Sequence, residues 1–430
     1  MSVQLINILR GALGMFFLMF VCWLLSTNRK AINWRLVIIA LIAMICFYLG
    51  VTRVGFINGF FDFLSRAFVK VVDVEIESTR LLFSNLIEVR PESWGFIFAV
   101  RVLPTIIFFS ALSSILYYTG ILQKIVYVFA LALSKLKISG AESVSTAANI
   151  FMGQTEAPLM IKPYLDKINR SEVLLIMVGG MANTAGSVLG AYVSFLGGDD
   201  PNSKAFFAMH LLTQSILSAP AAIICSKILF PQTQPVNMEV RIPRQKLGDN
   251  FLDALSIGTT DGMKLAVNVG AMLLAFTALI FVLNYVLFKI GDWTSLNAVI
   301  AANTPYTSLS FQMILGYVFS PVAWIIGVDT GDMLNVGQLL GEKTILNEFN
   351  AYLSFSAMKN QGIITDPKSI LITTYSLAGF ANFASIGIQI GGISQLAPNQ
   401  RKNLTELGFK ALIGGTIACL MCGCMAGALT

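Results

Sequence analysis

The chain is 430 residues long and 56% hydrophobic, with only 12% charged residues, a net charge of +6 and a mean hydropathy of +0.74. Soluble domains carry about 25% charged residues, so half the usual charge is missing and a soluble globular fold is excluded. No basic patch interleaved with aromatics accompanies the positive charge, which excludes a nucleic-acid partner; the lipid bilayer is the expected surrounding.

The predicted elements are stretches apolar enough to cross a hydrocarbon core roughly 30 Å thick. Spans are expected over 4–25 and 35–52; Arg10 interrupts the first and no small-x-small cleavage site follows, so it reads as a retained span. An interfacial stretch at 54–91 completes an N-terminal scaffold unit, 1–93. A span at 94–118, an interfacial stretch at 120–137, an interrupted apolar segment at 139–167 and spans at 171–196 and 203–230 make a first repeat, 94–230. A cytoplasmic linker, 231–263, leads to a second repeat, 264–430. That repeat holds a span at 264–289, an amphipathic stretch at 308–328, an interrupted segment at 331–361 and spans at 368–394 and 403–428. Cys419 and Cys422 form a C-x-x-C pair, but His210 is the only histidine, so small-residue packing is the reading and not a metal or redox site.

Lys and Arg in short loops stay cytoplasmic. Arg29, Lys30 and Arg35 place the 26–35 loop inside. Threading onward brings Lys124, Lys135 and Lys137, then Lys162, Lys167 and Arg170, to the same side. Lys227, Arg241, Arg244 and Lys246 follow, and then Arg401 and Lys402, while "GGDDPNS" falls outside. The agreement requires that neither interrupted segment cross fully, since each extra crossing would invert everything after it. Both therefore read as re-entrant hairpins. The expected fold is an all-α polytopic membrane protein with about eight transmembrane helices and two re-entrant helical hairpins in an inverted repeat.

The repeat is visible in the letters. "GGMANTAGSVLGAY" (179–192) and "AGFANFASIGIQIGG" (378–392) align with Gly180 on Gly379, Ala182 on Ala381 and Asn183 on Asn382. Each follows a hairpin and precedes one more span. Inverted repeats with broken helices meeting at the midplane mark secondary transporters.

A carboxylate at the bilayer centre is costly and faces a cavity or a partner. Glu156, in "NIFMGQTEAPLMIKPYL", has a counterpart in Glu348, in "LNEFNAYL", and the two acids are expected to meet where the hairpin tips meet. Gln154, Thr155, Asn347, Asn382 and Ser385 would surround them, the last two on one helix face. Such a set offers donors and acceptors with almost no positive charge, which suits a neutral polyhydroxylated or amide-bearing solute. Arg101 and Lys343 are the cations that could instead pair structurally with these acids. Asn149, the carbonyl near Met152 and the Asn183–Thr184 stretch could form an oxygen cage for sodium, or serve a proton, since unwound carbonyls at helix breaks coordinate small cations.

At these residues the chain resembles the concentrative nucleoside transporter family, through "GQTEAPLMIKPYL", "GSVLGAY", "NEFNAY" and "GFANFASIGIQIGG" in order and over nearly the whole length. The resemblance implies a homotrimer whose hairpins and following spans move like an elevator past a scaffold, importing a nucleoside with sodium. With no outer-membrane barrel pattern and no long soluble domain in the letters, a bacterial inner membrane is the expected location. The resemblance further implies that Gln154, Thr155 and Glu156 contact the nucleobase and that Glu348, Asn382 and Ser385 hold the ribose. Asn149, Met152, Asn183 and Thr184 would surround the sodium ion. One residue departs from the pattern: Asn183 stands where sodium-coupled members tend to carry a small hydroxyl residue. Thr155 favours sodium over a proton, because proton-coupled relatives tend to have Ser there. A passive channel and an intramembrane acid–base enzyme using Glu156 and Glu348 are the competing classes. Against the enzyme stand the lack of HExxH and of a nucleophile–His pair; against the channel stands the inverted pair of closed hairpins.

Overall fold

In the computed structural model, residues 3–87, 97–242 and 248–429 are described. Arg244, Lys246 and residues 88–96 of the expected interfacial stretch and span lie outside them. Among the described residues the fold is helical with no strand.

The helices are α1 (Val3–Leu24), α2 (Trp34–Arg53), α3 (Gly55–Phe83), α4 (Phe98–Arg101), α5 (Leu103–Tyr118) and α6 (Ile121–Ser134). The first hairpin is α7 (Gly140–Asn149), a non-helical tip, a 3-10 turn over Ala157–Ile161 and α8 (Lys162–Leu165). Then come α9 (Arg170–Ala182), α10 (Gly186–Gly197), α11 (Pro201–Leu229), α12 (Phe251–Trp293), α13 (Leu296–Asn303) and α14 (Phe311–Ile325). The second hairpin is α15 (Met333–Ile345) and α16 (Glu348–Asn360), followed by α17 (Pro367–Leu377), α18 (Phe383–Leu396) and α19 (Arg401–Leu429).

Local chemistry explains the boundaries of the hairpins. Ser139 and Glu142 form a capping box at the start of α7, and Asn169 and Glu172 form another at the start of α9. Pro158 and Pro163 sit in the first turns of the 3-10 turn and of α8, where a missing N–H is tolerated, so no continuous helix forms on the return arm. The arms are short: 10 residues in α7 and 13 in each of α15 and α16. At 1.5 Å per residue these reach about 15–20 Å, too little to cross a 30 Å core.

Among the described residues seven helical stretches are long and apolar enough to cross a membrane, including α9 with α10. Two expected continuous spans prove to be broken. The 171–196 span unwinds at Asn183–Ala185, and the 368–394 span unwinds over Ala378–Asn382 into arms of 11 and 14 residues. A second difference concerns α12, which begins at Phe251, inside the expected linker, because Asn250 accepts a hydrogen bond from the Asp253 amide and starts the helix there. The short helix α13 lies between the expected span at 264–289 and the amphipathic stretch at 308–328.

The broken helices pack around α19, which also touches α1 and α11. Two glycines on α19 permit the approach: a Cβ at Gly415 would stand 2.6 Å from the Met181 Cβ, and one at Gly423 would stand 2.9 Å from the Ile372 carbonyl oxygen. Outside this interior α12 pairs with α5, and most of its apolar side chains stay exposed, among them Leu274, Phe281 and Trp293.

The two breaks themselves meet. Gly379 has φ +105°, and a Cβ there would lie 2.6 Å from the Ala182 carbonyl oxygen. Gly379→Ala is therefore expected to destabilise the protein by about 1–3 kcal/mol. Thermal melting of the purified protein checks this, with Gly387→Ala as the control, because a Cβ at Gly387 meets nothing within 4 Å.

Candidate functional site

Asn382 begins α18, and its Oδ1 accepts the Ser385 amide at 2.9 Å. Its amide oxygen being engaged as the cap, Nδ2 points away and donates to Glu348 Oε2 at 2.9 Å. The other carboxylate oxygen of Glu348 accepts from the Tyr192 hydroxyl at 3.3 Å. The Tyr192 ring stacks on Tyr352 with centroids 4.4 Å apart, and Tyr352 donates to the Thr374 carbonyl at 2.7 Å. Glu348 is thus held by α10, α16 and the second break at once.

The same group continues into the first hairpin. Gln154 Nε2 donates to Ser385 Oγ at 3.0 Å, and Gln389 Nε2 donates to Gln154 Oε1 at 3.0 Å and to the Met177 carbonyl at 3.1 Å. Glu348, Asn382, Ser385, Gln154 and Gln389 form one buried polar chain joining both hairpin tips to both broken helices. Asn347 caps α16 beside it, accepting the Asn350 amide at 2.9 Å.

Thr155 and Glu156 stand outside this chain. Thr155 is exposed, with its methyl toward Gly392 of α18. Glu156 is half-buried and accepts the amide of Gly153, in its own turn, at 3.1 Å. It lines a cavity of about 220 Å³ with Ser110, Ser114 and Tyr117 of α5, Met152, and Asp261 of α12. Glu348 does not line that cavity, so the two acids do not share one pocket, and the polar chain from Glu348 reaches the first hairpin at Gln154 and not at Glu156.

A second set of polar oxygens is divided between α7, where Asn149 and Thr146 lie against Gly179 of α9, and the first break, which holds Thr184. Asn149 Oδ1, Thr146 Oγ1 and Thr184 Oγ1 are buried with no hydrogen-bond partner. Buried oxygens are nearly always satisfied, and three without donors are suited to a small cation. Among the described residues no three His, Cys, Asp or Glu cluster, so the oxygens on offer are neutral ones. Asn183 uses its amide differently: Oδ1 accepts the Thr184 amide at 3.0 Å and Nδ2 donates to the Ser215 carbonyl at 3.2 Å. Its side chain ties the break to α11. Met152 is buried at the tip, its amide donating to the Ala148 carbonyl at 2.9 Å.

The cations and the other candidates have separate roles. Arg101 pairs with Asp199. Lys343 donates to the carbonyls of Ser376 and Ala378 and to neither acid. His210 Nδ1 lies 3.0 Å from the Tyr375 hydroxyl, away from both glutamates. All six cysteines are free, and the Cys419 thiol donates to the Ala182 carbonyl at 3.5 Å, as packing and not as metal chemistry. Gln389, Tyr192 and Gln214 are the residues the sequence reading passed over. Gln389 was within reach, since it lies four residues after Ser385 and seven after Asn382, on one face of α18. Gln214 Nε2 donates to the Ala182 carbonyl at 3.2 Å and the Ala378 carbonyl at 3.5 Å, bridging the two breaks, and nothing in the pattern of α11 announces it.

Comparison with known proteins adds three matches along the chain. Residues 13–86 match the family described as the Na+ dependent nucleoside transporter N-terminus, 99–199 match a nucleoside-recognition gate, and 210–427 match the Na+ dependent nucleoside transporter C-terminus. An uncharacterized transporter of Haemophilus influenzae is 40% identical over 98% of this chain and 97% of its own length. Solute carrier family 28 member 3 of Mus musculus is 35% identical over 97% of this chain, which spans 58% of that relative's length. The structure of CNTnw in an inward-facing substrate-bound state superposes with a TM-score of 0.88 at 36% identity, covering 99% of this chain and 98% of that one. An outward-facing variant of the same protein gives 0.90 at 35% identity, covering 100% and 99%.

Removing Gln389 leaves the Gln154 amide oxygen without a donor and takes the second donor from the Met177 carbonyl, which sits inside α9. Gln389→Leu is expected to cost about 1–3 kcal/mol for the stranded oxygen and to lower the melting temperature. Glu156→Gln, bonded only within its own turn, is expected to leave the melting temperature nearly unchanged in the same assay.

Proposed function

Because the chain belongs to the Na+ dependent nucleoside transporter family, we propose that it is a sodium-coupled nucleoside symporter working by an elevator form of alternating access. The observation that carries this reading is the continuous polar chain from Glu348 to Gln389, which couples both hairpin tips to both broken helices.

In the proposed mechanism Glu348 is held by Asn382 and Tyr192 with acceptor capacity to spare, and takes the ribose hydroxyls together with Asn382 and Ser385. Gln154, Thr155 and Glu156 contact the nucleobase, Gln154 offering a donor and an acceptor from one amide. Sodium is the co-substrate. It is held at the first break by Asn149, Met152 and Thr184, with Asn183 shaping the break through its bonds to Thr184 and Ser215. The unpartnered oxygens of Asn149, Thr146 and Thr184 support this assignment. Moving one charge down 100 mV contributes about 2.3 kcal/mol, roughly a 50-fold concentration ratio for the coupled solute.

The division of labour follows the proposed units: scaffold 1–93, repeats 94–230 and 264–430, and the linker 231–263 between them. The hairpins with α9, α10, α17 and α18 form the moving body, and α1–α3, α5 and α12 form the frame. The exposed apolar face of α12 suits a helix of the frame in a homotrimer within a bacterial inner membrane.

In proteoliposomes, uridine is expected to accumulate above equilibrium under an inward sodium gradient and to stop doing so when choline replaces sodium; mere equilibration would indicate a channel. Glu348→Gln and Glu156→Gln are each expected to abolish uptake while the protein still inserts. Asn149→Ala is expected to raise the half-saturating sodium concentration about tenfold or more, equivalent to about 1.4 kcal/mol of lost binding.

A further inference from the structure

The register that sets Gly180 on Gly379 also sets Gly179 on Ala378, the first in the last turn of α9 and the second just past the end of α17. At each of these points a hairpin supplies one side chain from the last turn of its inward arm. In the first repeat it is Asn149. A Cβ at Gly179 would meet its Nδ2 at 3.3 Å, and its Oδ1 has no hydrogen-bond partner. In the second it is Lys343, only 2% exposed, whose Nζ donates to the Ser376 carbonyl at 2.8 Å and the Ala378 carbonyl at 3.4 Å. One repeat presents oxygens with no hydrogen-bond donor, and the other presents carbonyls that accept from an ammonium.

We propose that Lys343 is a tethered cation filling, in the second repeat, the counterpart of the site that sodium fills in the first. One mobile cation is then carried per nucleoside. The proposal rests on the sodium reading of the first break. Unwound carbonyls at a helix break attract a small cation, and an ammonium supplies a positive charge and three donors to the same acceptors. A charged lysine inside a membrane protein is costly unless backbone carbonyls or an acid receive it, and here carbonyls do. Gln214, bonded to the Ala182 and Ala378 carbonyls, links the two places. The second break stays held throughout the cycle, and only the first depends on an ion from solution.

Two measurements test this. In proteoliposomes of the unsubstituted protein, the sodium-to-uridine flux ratio is expected to be one. A ratio of two overturns the inference while leaving sodium coupling intact, and no coupled sodium flux overturns the sodium reading and this inference with it. In the second, sodium is titrated against the melting temperature of purified protein. The unsubstituted protein should respond with a Hill coefficient of about 1, the response should vanish in Asn149→Ala, and Lys343→Ala should melt lower without sodium and respond with a coefficient approaching about 2. A Lys343→Ala variant with unchanged melting and an unchanged coefficient overturns the inference. Should that variant not purify, the flux ratio of the unsubstituted protein decides.

Discussion

Inside lipid, a helix that unwinds must hand its freed backbone groups to other parts of the protein. Two helices of this chain unwind, and much of the interior is arranged to receive what they release. Ala182 offers its carbonyl to Gln214 and Cys419, and Ser376 and Ala378 offer theirs to Lys343. Thr374 takes the Tyr352 hydroxyl, Asn183 accepts the Thr184 amide within the first break, and Asn382 accepts the Ser385 amide at the restart of α18. The glycines of α19 have the same cause, because they let that helix lie close enough to cover both breaks from behind.

The hairpins follow from this constraint as much as from their own sequences. Each is too short to cross the membrane, so its tip ends near the middle and must find partners there. Glu348 and Gln154 find them in the broken helices. Satisfying the backbone and assembling the polar chain are one event, since Asn382 caps α18 and orients Glu348 with a single amide. Satisfaction is incomplete at several buried oxygens, and among them those of Asn149, Thr146 and Thr184 lie on the elements proposed to hold the ion.

Much of this was legible in the sequence. Charge placement around the loops identified both hairpins as re-entrant, because a full crossing would have inverted every later basic loop. The G-x-A-N-x-A pair located the repeat, and Gln154, Glu348, Asn382 and Ser385 came together as a group. The breaks inside 171–196 and 368–394 were harder to read. Windows averaged over twenty residues hide interruptions of three and five residues, and Asn in a membrane helix is also read as interhelical glue. The start of α12 at Phe251 was obscured because Asp253, Asp261 and Lys264 dilute its hydropathy while leaving helix propensity intact. Adjacent letters misled in one place. Gln154, Thr155 and Glu156 are contiguous, but a non-helical tip aims them in different directions, so only Gln154 joins the chain to Glu348.

On the proposed reading the sodium oxygens and the polar chain belong to one body and are joined through Gln154, Gln389 and α9, so occupancy of one site must alter affinity for the other. Calorimetric titration of purified protein with uridine, at low and at saturating sodium, tests this most directly. The account predicts that sodium tightens uridine binding at least about fivefold, and that uridine tightens sodium binding by the same factor, as linkage demands. Equal uridine affinity with and without sodium would contradict it.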